Sequence, residues 1–158
     1  MTAQSNPRIF ETLAELCTQR GVWLGPTPWL TVDQSRIDLF AQASGDSYWV
    51  HTDAARAARE LPGGRPLAHG YLSLSLVTAM SAQLWQVRSQ SGALLYGVDE
   101  CRFPAPVPEG ARISLRQQLI DAGPVEPGRW RIKWRSVIDV EHSPKPACVA
   151  TILSLLFE

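Results

Sequence analysis

The residues of this chain that could do chemistry are concentrated in one short part of it. Two of three histidines, His51 and His69, lie with Asp46 and Asp53 in the 24 residues from Asp46 to His69, within Ser44-Gly-Asp-Ser-Tyr-Trp-Val-His51-Thr-Asp53 and then Leu67-Ala-His-Gly70. A carboxylate and an imidazole five residues apart across a loop can converge on one water. The carboxylate then orients it or takes its proton, while a ring that titrates near neutrality accepts or returns one. The residue types alone favour a plainer assignment, in which Asp46 caps the helix after it and His51 satisfies a backbone carbonyl.

A metal reading competes, because His51-Thr-Asp53 followed downstream by His142 has the H-x-D…H form of a two-histidine, one-carboxylate iron site. No arginine follows His142 to hold a co-substrate, and helical patterning dominates the first half where such oxygenases are β-barrels. The expectation is therefore no metal and no organic cofactor. Cys17, Cys101 and Cys148 are odd in number and lack C-x-x-C spacing. They read as small buried hydrophobes of a reducing, cytoplasmic protein rather than as disulfides or zinc ligands.

The elements that must position these groups belong to one domain, residues 1–158, since a chain of this length affords one complete core. Fifteen basic and fifteen acidic residues give no net charge, which argues against a nucleic-acid surface or a polybasic membrane patch. No apolar run approaches the length of a membrane span. Asn6-Pro7 looks like a helix start, with Ile9, Leu13, Leu16 and Cys17 at helical spacing until Gly21, within a lead-in segment covering 1–28. Thr31-Val-Asp-Gln34 matches a capping box, predicting a second helix from Val32 that Ser44-Gly45 ends. A short helix is expected over Asp53 to Glu60, and a long, nearly all-apolar one over Tyr71 to Val87. From residue 93 the period becomes two, and strands are expected over 95–103, 111–120, 130–140 and 147–157. The third has the clearest faces: Trp130, Ile132, Trp134, Ser136, Ile138 and Val140 against Arg129, Arg131, Lys133, Arg135, Asp139 and Glu141. The last is apolar on both faces, which suits a central strand or one covered at a subunit contact. Helices first and strands after predict an α+β fold, an antiparallel sheet carrying an apolar helix on one face.

Taken in series, Phe40-Ala-Gln-Ala-Ser-Gly-Asp46, His51-x-Asp53, Leu67-Ala-His-Gly70 and Gly97-Val-Asp-Glu-Cys-Arg-Phe-Pro-Ala-Pro-Val-Pro-Glu-Gly110 are similar in order and spacing to the MaoC-like dehydratases, which include the (R)-specific enoyl-CoA hydratases. The resemblance runs from about residue 29 to the C-terminus, and it reverses the plainer assignment of the Asp and His. It implies a hot-dog fold, a sheet wrapped around one long apolar helix. It places the catalytic pair on Asp46 and His51, the oxyanion-hole glycine on Gly70, and a hydroxyl often found eight positions beyond that glycine on Thr78. Tyr48 and Trp49 stand where the commoner pattern has Asn-Pro, and Trp49 resembles the nodulation protein N branch. His69 reads as structural, locking its loop by a backbone bond.

The implied activity is reversible hydration of a 2-enoyl thioester to an (R)-3-hydroxyacyl thioester, by a homodimer whose partner molecule is acyl-CoA or an acyl carrier protein. A thioesterase on the same fold and a non-catalytic acyl-binding subunit are the alternatives.

Overall fold

The computed structural model describes residues 6–158; residues 1–5, part of the expected lead-in, lie outside them. The long strands β5 (Gly92–Arg102), β6 (Arg112–Glu126), β7 (Arg129–Val140) and β8 (Cys148–Phe157) form an antiparallel sheet in the order β6-β7-β8-β5. Two short strands, β2 (Trp23–Leu24) and β3 (Leu30–Thr31), pair with the outer side of β6. A separate parallel pair joins β1 (Arg8–Phe10) to β4 (Trp85–Val87). Helices α1 (Leu13–Cys17), α2 (Gln34–Ser44), α3 (Trp49–Thr52) and α4 (Ala54–Glu60) precede α5 (Gly70–Ser81), which packs on β6, β7 and β8. The α+β expectation holds.

Alternation explains the sheet's inner face. Ile132, Trp134, Ser136 and Ile138 of β7 are buried, as are Leu115 and Leu119 of β6. All but Ser136 share one apolar cluster with Leu72, Leu76, Val77 and Met80 of α5, and each such leucine or isoleucine contributes about 1.5–3 kcal/mol by leaving water. β8, apolar on both faces, lies inside the sheet between β7 and β5.

Four boundaries differ from expectation. No helix starts at Pro7: residues 8–10 form β1, and α1 begins after Thr12, whose hydroxyl accepts from the Glu15 amide while Glu15 accepts from Glu11 N–H. That reciprocal cap is a stronger start signal than Asn6-Pro7. The cap of α2 is Asp33, accepting from Arg36 N–H, and Thr31 belongs to β3. Gln34 donates instead to Asp38 and to the carbonyl of His51. α5 ends at Ser81 because the apolar residues after it turn and pair with β1, a distinction that a segment apolar on every side cannot display. β6 runs past residue 120 through Gly123 and Pro124 to the Pro127-Gly128 turn, with register shifts absorbing the irregularity.

Candidate active site

Gly45 ends α2 in the left-handed conformation at φ 77°, a backbone state natural to glycine. The chain is thereby turned so that Asp46 starts the loop into α3. The Asp46 carboxylate accepts weakly from the Tyr48 amide at 3.3 Å and is otherwise largely open, with 56% of its side chain exposed. One turn into α3, the His51 ring donates through Nδ1 to the carbonyl of Leu67 at 2.6 Å. A carbonyl can only accept, so that nitrogen carries the proton and Nε2 of the neutral ring is left with its lone pair. The two plainer roles, a turn contact for Asp46 and a carbonyl bond for His51, are thus both present. They set the geometry of the two groups without consuming Asp46 Oδ2 or His51 Nε2.

The segment Leu67–Gly70 holds these parts together. Leu67 N–H donates to Val50 O and Ala68 N–H to Val107 O, fixing the segment between α3 and the stretch after β5. His69, buried at 3% exposure, donates from Nε2 to the Asp46 carbonyl at 2.9 Å. This is the loop lock expected of it. It also does what the sequence did not show: its ring stacks on His51, centroids 3.7 Å apart and planes 26° from parallel. One ligand-type atom each of Asp46, His51 and His69 lies within 4.8 Å of the others. Two hydrogen bonds of about 2.8 Å to one water span such a distance. These three, and not His51, Asp53 and His142, are the groups the fold brings together; Asp53 caps α4 by accepting from Arg56 N–H. His69 Nε2 is already engaged with a carbonyl, which leaves the trio poorly suited to hold an ion through that atom.

Gly70 is the first residue of α5, directly after His69. Its amide is among the N-terminal N–H groups that have no partner within a helix, at the positive end of the dipole. A Cβ here would meet the Phe103 ring at 3.0–3.1 Å, so a side chain at this position would press first on Phe103. Gly70, Ser73, Phe103 and Val107 line a cavity of about 280 Å³. Thr78 is two turns further along α5, about 12 Å by helical rise, and lines a different cavity of about 440 Å³ with Trp85, Leu94, Leu95, Trp134 and Ile152. The structure therefore gathers Asp46, His51 and Gly70 at one end of α5 and sets Thr78 apart at the other. That larger cavity was not legible in advance, because its walls come from α5, β4, β5, β6, β7 and β8. Trp49, at the position usually held by proline, lies under the Arg56 guanidinium at 4.1 Å, tying α3 to α4.

Residues 20–131 match the family model described as MaoC like domain. The chain is 38% identical over 143 residues to 3-hydroxyacyl-thioester dehydratase Z of Mycobacterium tuberculosis, covering 90% of this chain and 94% of that one. It is 35% identical to nodulation protein N of Rhizobium leguminosarum bv. viciae, covering 92% and 91%. Among solved structures, an R-hydratase of Pseudomonas aeruginosa superposes with a TM-score of 0.70 at 26% identity, covering 92% of this chain and 85% of that one. The sheet around α5 is accordingly the hot-dog fold, and the chain belongs to the MaoC-like dehydratase family.

Proposed function

We propose that this protein reversibly hydrates trans-2-enoyl thioesters to (R)-3-hydroxyacyl thioesters. The observation that carries the reading is the convergence of the Asp46 carboxylate and the His51 ring within 4.8 Å, next to the helix start at Gly70. Asp46 and His51 orient a water between them and remove its proton as its oxygen bonds to the β carbon. The C=C electrons move toward the thioester carbonyl, whose oxygen gains charge facing the Gly70 amide. Return of a proton to the α carbon completes the addition, and the reverse order expels water. The acid–base pair contributes about 10²–10⁴ in rate and one oxyanion donor about 2.7–4 kcal/mol. The larger cavity, with Thr78 on its wall, takes the acyl chain.

The active form is a homodimer. Among the described residues β5 is an edge strand, paired only with β8, and its Leu94, Leu95, Tyr96 and Val98 are exposed. A long apolar edge left uncovered invites association, and a second β5 covers it. Leu94 and Leu95 also line the acyl cavity, so the same contact would close that cavity. No helix among the described residues is long and apolar enough to cross a membrane, and the three free thiols fit a cytoplasmic setting. Acyl-CoA or an acyl carrier protein delivers the substrate.

The test is purified protein with crotonyl-CoA. The conjugated enoyl absorbance falls, the product is the (R)-3-hydroxy thioester, and a thiol reagent detects no free CoA. Release of CoA would instead mark a thioesterase, and binding without turnover a non-catalytic subunit.

A further inference from the structure

We propose that His69 is a positioning residue for both members of the acid–base pair, a role that rests on the hydratase reading of the site. A loop lock needs only a donor to a carbonyl, and His69 Nε2 supplies that to Asp46 at 2.9 Å. The stacked ring is what such a lock does not need. His69 lies face to face with His51 at 3.7 Å, and Phe40 of α2 closes on it from 5.0 Å, so a buried ring fixes the plane in which His51 presents Nε2. The cost is visible: Nδ1 of His69 is buried with no hydrogen-bond partner, a loss of stability that a lock made by a smaller amide would avoid.

The connection extends to the oxyanion donor. His69 is the residue before Gly70 and caps α5, its carbonyl accepting from Ser73 N–H. The backbone that aims the Gly70 amide is therefore the backbone that carries the ring. One side chain fixes the height of Asp46, the tilt of His51 and the entry of α5. Acid–base catalysis is sensitive to such placement, where an error of about 1 Å costs on the order of 10² in rate.

Two substitutions separate the parts. His69→Gln keeps an N–H donor near the position of Nε2 and loses the ring, while His69→Phe keeps a ring against His51 and loses the donor. With crotonyl-CoA, His69→Phe is expected to lower kcat by about 10²-fold with KM within about twofold. His69→Gln should fall between it and the wild type. In a His51→Gln background, His69→Phe should cost clearly less than it does in the wild type, because groups that act as a unit are not additive. Wild-type kcat in His69→Phe, or the same fold-loss repeated in the His51→Gln background, would overturn the proposal. A second measurement stands apart from folding and turnover. Imidazole nitrogen NMR of the wild-type protein should show the proton of His69 on Nε2 and that of His51 on Nδ1, and a His69 proton on Nδ1 would refute the lock. Absence of wild-type hydration would count against the enzyme reading alone, leaving the NMR result to decide the placement.

Discussion

Asp46 and His51 are held differently, and the difference predicts how each responds to change. The His51 ring is fixed by a 2.6 Å bond to Leu67 and by the stacked His69, whereas the Asp46 side chain has one weak backbone contact. Asp46→Asn and His51→Gln should each lower hydration of crotonyl-CoA by about 10²–10⁴-fold. Thermal melting should shift little for Asp46→Asn and measurably for His51→Gln, which loses the ring stack. Gly70→Ala probes the oxyanion donor against packing. Its Cβ presses on Phe103, but that ring is 42% exposed and has room to swing. The expected stability loss, by chemical denaturation, is therefore at the low end of overpacking, about 1 kcal/mol, with a larger loss in kcat as the displaced ring enters the cavity it lines. A stability loss several times greater, with activity retained, would assign Gly70 to packing alone.

At the scale of elements, each helix start is set by whichever side chain reaches an orphan amide. Asp33→Ala should cost about 0.5–2 kcal/mol in urea unfolding because Asp33 accepts from Arg36 N–H. Thr31→Ala should be nearly neutral, since Thr31 lies in a strand. The sequence pattern of Thr31 and Gln34 suggested the opposite assignment, and the reason it failed is tertiary: Gln34 is drawn to the carbonyl of His51. Where the pattern was local and strong it was sufficient. The alternation in β7 identified the buried face and Gly45 identified the end of α2, whereas the Asp46–His51 spacing by itself favoured plainer roles, and the family resemblance was needed to single the two out as a pair. Pairings between distant segments were not legible. The β1–β4 ladder shortens α5, and the larger cavity needs side chains from six elements to exist. The role of His69 was half legible, because its carbonyl bond follows from its place before a helix, while stacking on His51 depends on how α3 docks.

For the whole molecule, two properties extend beyond the site. The Cys148 thiol is pushed up from its ordinary 9.0 to about 12, first by burial and then by Cys101, whose sulfur lies at 3.9 Å. In the unfolded chain that thiol ionises above pH 9, while in the folded protein it stays protonated until about 12. The stability it contributes is complete below pH 9 and is lost as pH rises through that window. Cys148→Ala should flatten the alkaline limb of a stability–pH profile, and the native thiol should resist alkylation at neutral pH. The second property is the β5 edge, where Leu95 is 67% exposed. Leu95→Lys should shift sedimentation from dimer to monomer, as a charge set into an apolar interface does, and should weaken acyl binding because Leu95 lines that cavity. Dimers that persist unchanged in this variant would place the subunit contact elsewhere.

The catalytic predictions rest on one proposed arrangement, a water held between Asp46 and His51 on one side of an enoyl thioester whose oxygen faces Gly70. A crystal structure of the Asp46→Asn variant with crotonyl-CoA tests it most directly. The account predicts the thioester oxygen within about 3 Å of the Gly70 amide nitrogen, the β carbon beside a water bonded to His51 Nε2, and the acyl tail pointing toward Thr78. A thioester bound away from α5, or with its oxygen turned from Gly70 and its β carbon out of reach of that water, would contradict it.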